Sequence, residues 1–169
     1  MNVPVWVGAA SAAVLAVAVV AAAAVAWRLR RGYVVVTVDG ESMAPAFAPR
    51  DRVLVRRGRD GVERGAVVVV GLPSAESGWR GSAPLGPDVP GEGWYIKRVA
   101  ATAGERYPDA VGLDGNVPPA HVALLGDNIG SIDSRHHGPC PEHQILGVVV
   151  RRMSRSPRED ARGAGAARP

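Results

Sequence analysis

YVVVTVDGESMAPAFAPRDRVLVRR occupies residues 33–57. Its first six residues are β-branched after the leading Tyr, a composition that suits a pleated strand. Its last six, RVLVRR, alternate charged and apolar groups, as a strand with one buried face does. The residues between hold Gly40, Pro45, Pro49, Asp39 and Asp51 and show no helical period. Two strands joined by a turn-rich segment are therefore expected here.

Working outward, the same signals recur. Residues 66–70 are an unbroken apolar run of strand length, consistent with burial on both faces. Residues 94–100 (WYIKRVA), 121–125 and 145–150 supply further strands. Residues 71–93 are rich in Gly, Pro and Ser and read as a long loop. Within it Trp79 and Leu85 are candidates to touch a membrane surface, beside the plain solvated reading. Short strands with Gly/Pro turns predict a mainly β, antiparallel domain. With 21 Gly and 14 Pro, a helical bundle after residue 32 is excluded.

The N-terminal part differs. Residues 1–27 are apolar except Asn2, Pro4, Gly8 and Ser11, and residues 3–27 carry no charge. Such a run is long enough for a helix to cross a hydrocarbon core of about 30 Å. Trp6 and Trp27 stand near its ends, followed by Arg28, Arg30 and Arg31. A cleaved signal peptide would need a basic start and a shorter apolar core, so a retained single-pass anchor is expected. Three segments follow: residues 1–31 as transmembrane anchor with an Arg-rich flank, 32–150 as a β-rich domain, and 151–169 as an Arg-rich disordered tail.

The charge is +4 over 169 residues, and much of it sits at the ends. This does not describe a nucleic-acid-binding face, so no nucleic-acid partner is expected. One cysteine, Cys140, excludes an intrachain disulfide framework and a Cys-based zinc cluster. The four His show no metal-ligand spacing. Of 20 basic residues, only Lys97 is lysine. Arg keeps its proton in a protein, whereas a buried Lys can lose it. On a strand Lys97 shares a face with Tyr95 and Val99, apolar company that disfavours its charged form.

Three segments carry possible chemistry. The first is Asp39-Gly40-Glu41-Ser42-Met43-Ala44-Pro45. The second is Tyr95-Ile96-Lys97-Arg98-Val99. The third is Gly126-Asp127-Asn128 with Ser131 to Gly138. Ser42 is a nucleophile if a base takes its proton, and a desolvated Lys97 can do so. Ser131 or Ser134 is placed to orient the amine, and Asp133 can pair with Arg135. The third segment is equally ordinary turn chemistry.

In order and approximate spacing these boxes resemble the bacterial type I signal peptidases, membrane-anchored Ser/Lys serine proteases. Their S-M-x-P box is matched by Ser42, Met43 and Pro45, and their K-R-V box by Lys97-Arg98-Val99. Their G-D-N and S-x-D-S-R-x-x-G boxes are matched by Gly126-Asp127-Asn128 and by Ser131 to Gly138. The resemblance implies Ser42 as nucleophile, Lys97 as general base and Ser131 as the group hydrogen-bonded to the amine. It implies Asp133–Arg135 as a structural ion pair, with Gly40 where some members carry an oxyanion-hole hydroxyl. It implies an antiparallel β catalytic domain that removes signal peptides from preproteins after small residues, through an acyl-enzyme and without a cofactor. His121, His136 and His137 are then loop residues, since the base position is filled.

Departures fall at Arg50 (a usual turn Gly), Ala66 (a usual Asp), Ala101, Ala103, Glu105 and Cys140. A short 105–120 region leaves the accessory part reduced. Partners implied are preproteins and the lipid bilayer. Positive-inside counting puts the Arg cluster in the cytoplasm, whereas exported substrates require the catalytic domain on the extracytoplasmic side of the cell membrane. The latter placement is expected. Alternatives are a dedicated maturation protease for one secreted peptide or protein, and a non-catalytic membrane-tethered peptide-binding β domain.

Overall fold

The computed structural model describes residues 5–74, 78–79 and 94–154, with side chains in the first helix from residue 15 onward apart from residue 29. The chain forms two compact units, residues 1–33 and 34–169.

The first unit is one helix, α1 (Val5–Gly32), built from Ala and Val with no acidic residue in its first turn and Arg30 and Arg31 in its last. Its described large apolar side chains are exposed, from 55% at Trp27 to 70% at Val17. Arg31 lies over the Trp27 ring, 4.0 Å from its centroid, one turn along the helix. Among the described residues no helix is long and apolar enough to cross a membrane. The described side chains of α1 include Arg28, Arg30 and Arg31 in its last five positions.

The second unit is an antiparallel sheet. Its strands are β1 (Tyr33–Thr37), β2 (Arg52–Arg57), β3 (Val67–Gly71), β4 (Trp94–Thr102), β5 (His121–Leu125), β6 (Cys140–Pro141) and β7 (Ile145–Ser154). They lie in the order β1-β2-β7-β3-β4-β5-β6. The last long strand thus sits in the middle, between β2 and β3. A short helix, α2 (Ser134–His137), precedes β6.

The apolar run in β3 is explained by cover on both faces. Val68 and Val70 point into a cluster with Trp79, Val99, Val122, Leu124, Cys140, Ile145 and Val148. Val69 points the other way, among Val36, Val38, Met43, Val53, Val55, Ile96 and Leu146. A third, smaller cluster joins Ala101 and Ala123 to Tyr107, Val111 and Val117. The shortened 105–120 region therefore keeps a small core of its own.

Several features differ from the sequence expectation. Trp79 does not reach outward: it is 1% exposed and its Nε1 donates to the Gly71 carbonyl at 3.2 Å. Leu85 lies outside the described residues. His136 and His137 are helical rather than loop residues. The Asp133 N–H donates to His136 Nδ1 at 3.4 Å, and the His137 ring meets Trp79 edge-on at 5.6 Å. β7 runs to Ser154, four residues past the boundary drawn for the tail. Its Arg151 and Arg152 pair in register with Leu54 and Val53. A charged end looked like a solvated tail because the sequence does not show that Arg152 meets a buried carboxylate, Asp51, at 3.3 Å. Arg50, where a turn Gly was the usual residue, adopts the left-handed backbone (φ 74) that Gly prefers.

Candidate active site

Lys97 lies on β4 opposite Val68 of β3 and is 1% exposed. Its amine donates to Ser131 Oγ at 2.7 Å and sits 4.8 Å from the Tyr95 ring centroid. The i, i+2 alternation of a strand puts Tyr95 and Lys97 on one face, as the sequence indicates. Burial pushes the amine down from its ordinary value to about 8. Asp133 pulls it up by charge attraction and Arg135 pushes it down. A fraction of the lysine is therefore neutral near neutral pH, which an exposed lysine is not.

Ser131 is itself buried and held from several sides. Its N–H donates to the Asn128 carbonyl at 3.0 Å. Its own carbonyl accepts from Arg135 Nη2 at 3.3 Å, and Arg135 Nη1 reaches the Ile129 carbonyl at 3.2 Å. Arg135 grips Asp133 through Nε at 2.9 Å and Nη2 at 2.7 Å. Asp133 is fully buried, accepts from the Gly126 N–H at 2.9 Å, and caps α2 through the Arg135 N–H at 3.2 Å. Burial acts to raise the Asp133 carboxyl. The Arg135 and backbone hydrogen bonds outweigh it and hold the group below the usual carboxylate range. Ser134, the other candidate partner for the amine, instead accepts from the Leu124 N–H at 2.8 Å.

Ser42 is half-buried in the irregular segment after β1. Gly40 before it has φ 76, and open space lies where its side chain would be. Met43 after it is completely buried and anchors the segment in the core. Pro45 is exposed and follows a cis peptide bond. The Ser42 carbonyl accepts from the Asn128 N–H at 3.1 Å, and Asn128 Nδ2 donates to the Glu41 carbonyl at 3.2 Å. Gly126 lies between the two serine segments. A Cβ there would run into the Ser131 hydroxyl and the Ser42 carbonyl oxygen. The structure thus brings the Ser42 segment, Lys97 and Ser131 to one place on the sheet.

Beside them, β4 has an unusual edge. Residues 94–98 pair with β3, whereas pairing with β5 begins only at Arg98. Among the described ladders, Tyr95, Ile96 and Lys97 pair with β3 alone. An extended peptide can add to such an edge.

Sequence reasoning gave no role to four residues. Asn128 ties the Ser42 segment to the Ser131 loop. Arg98 binds Asp127 in a fork at 2.8 and 2.7 Å, which raises the guanidinium further above its already high value. Asp51 and Arg152 close the Ser42 segment from behind. The Arg partners were not separable by type in a chain with nineteen Arg. Asn128 and Arg98 did have a signal, their places inside the Gly126-Asp127-Asn128 and Lys97-Arg98-Val99 boxes.

A family model described as "Signal peptidase, peptidase S26" matches residues 7–107 and 107–154. No curated protein matches the chain.

Proposed function

The chain belongs to the signal peptidase family, peptidase S26, and from that premise we propose that it is a membrane-bound serine endopeptidase with a Ser42/Lys97 dyad. It removes signal peptides from exported preproteins after small residues, through an acyl-enzyme. The observation that carries this reading is the buried Lys97 amine, hydrogen-bonded to Ser131 at 2.7 Å and with its proton affinity lowered toward neutrality. A lysine that only stabilised a surface would keep its charge in water.

The chemistry follows from that amine. Substrate lies extended along the open edge of β4, its scissile carbonyl carbon at the Ser42 hydroxyl. Neutral Lys97 takes the Ser42 proton as Oγ bonds to the carbonyl carbon. Backbone N–H groups, including that of Ser42, hold the negative oxygen. The leaving amine takes the proton from Lys97, and the C–N bond breaks. Water then gives a proton to Lys97 as its oxygen bonds to the ester carbon; the C–Oγ bond breaks, Ser42 Oγ takes that proton back from Lys97, and the acid is released. Ser131 keeps the amine aimed throughout, and Asp133–Arg135 holds Ser131. No step needs a cofactor.

α1 serves as the anchor. What supports this is the sequence: residues 3–27 are uncharged and almost wholly apolar, a run long enough as a helix for a hydrocarbon core of about 30 Å. The catalytic unit lies on the extracytoplasmic side, where exported substrates emerge. The test is cleavage of a preprotein by the detergent-solubilised chain. Wild type cuts, and Ser42→Ala and Lys97→Arg lose at least about 10³-fold in kcat/KM. Residual cutting by Lys97→Arg at the wild-type rate would place the base elsewhere. A wild type that cuts one secreted peptide but no general preprotein would point to a dedicated maturation protease.

A further inference from the structure

The segment carrying Ser42 is shaped from a point well behind Ser42. It spans residues 38–51. The Val38 N–H donates to the Asp51 carbonyl and the Arg50 N–H to the Val38 carbonyl, both at 2.8 Å, which closes its base. The Asp51 carboxylate is completely buried. Its Oδ2 accepts from the Ala48 N–H at 3.0 Å and meets Arg152 Nε at 3.3 Å. The Arg152 guanidinium also lies 4.8 Å from the Phe47 ring centroid. Phe47 packs against the cluster that holds Met43, and its N–H donates to the Met43 carbonyl at 2.8 Å. One side chain from β7 therefore touches the segment twice, and its second contact leads to the residue next to Ser42.

We propose that Arg152 is a positioning residue, which sets the backbone of residues 43–48 through Asp51 and Phe47 and so fixes where the Ser42 hydroxyl stands. This rests on the reading of Ser42 as nucleophile. The physical reason is that a buried carboxylate demands a partner. Without the guanidinium, the buried Asp51 carboxylate loses a cationic partner, and the readjustment of its remaining hydrogen bonds loosens its hold on the Ala48 N–H. Small displacements of a nucleophile are costly to rate while leaving remote substrate contacts intact. A mere strand-to-strand ion pair would tie β7 to β2 and leave residues 43–48 alone.

The experiment uses the full chain in detergent, with wild type, Ser42→Ala, Arg152→Met and Arg152→Lys. Cleavage of a preprotein is measured together with backbone hydrogen exchange. Arg152→Met is expected to lower kcat about 10- to 100-fold with KM within about twofold, and Arg152→Lys to recover part of that loss. The Phe47 and Ala48 amides exchange faster in Arg152→Met, while Val53 and Val55 in β2 keep their protection. If Arg152→Met does not fold, Phe47→Leu removes only the ring beneath the guanidinium and carries the same expectations at smaller size. An unchanged kcat in a folded variant overturns the proposal. So does equal loss of protection at all four amides, which reports global weakening. If Ser42→Ala cuts like wild type, the functional reading fails, and the exchange data still decide whether Arg152 shapes the segment.

Discussion

Lys97 shows how one residue acquires a chemistry that its neighbours lack. It was legible in the sequence because it is the only lysine and because strand alternation gave it apolar company. Its hydrogen-bond partner was narrowed to two serines, and geometry selected Ser131. The sign of the pH dependence follows directly. Only the neutral amine accepts a proton, and with the group near 8 about a tenth is neutral at pH 7. If Lys97 is the base, kcat/KM rises close to tenfold per pH unit below that point and levels above about pH 8. A pH–rate profile that is flat from 6 to 9 would remove Lys97 from that role. Ser131→Ala deletes a buried hydrogen bond to this amine. A bond to a charged or partly charged group contributes about 1.5–3 kcal/mol, so steady-state kinetics should show a loss of about 10- to 100-fold in kcat/KM.

Among the elements, β4 does two jobs along its length. Its first half pairs with β3 and its second half with β5, and among the described ladders the two overlap only at Arg98. The strands themselves were readable, since β-branched runs and alternation are local signals. Their order was not, because nothing local places β7 between β2 and β3. The end of β7 was misread for the same reason: its Arg residues find partners in β2 and Asp51, far away in sequence. Trp79 was equally opaque, as a lone aromatic in a Gly- and Ser-rich stretch has no period to reveal the core beneath it. One tight joint between elements is Gly126, where the β5 end meets both serine segments. Gly126→Ala forces these apart, and overpacking of this kind costs about 1–3 kcal/mol. Thermal unfolding should register that loss, and cleavage should fall further than stability alone explains. A variant with wild-type rate and wild-type unfolding temperature would show that the joint has slack.

For the molecule as a whole, the division at residues 33–34 separates an apolar helix from the sheet that holds every candidate site residue. A chain starting at Gly32 is therefore expected to fold and to cut a soluble peptide bearing a signal-peptide cleavage site. The full chain is expected to float with lipid vesicles, and the shortened chain is not. Retained flotation would place membrane binding in the β unit, and loss of the β signature in circular dichroism would show that the two units fold together. Membership of the family was legible because three short boxes fall in order around one lysine; the supports behind them, Asp51, Arg152 and Asn128, emerge only when the chain is folded. The solitary lysine has a practical consequence as well. Lys97 is buried in the sheet, and its bond to Arg98 is the only lysyl site in the chain. A lysine-specific protease thus finds no target until the strands part, and then makes one cut. Digestion by such a protease becomes a gauge of whole-sheet opening, read as a single band giving way to two.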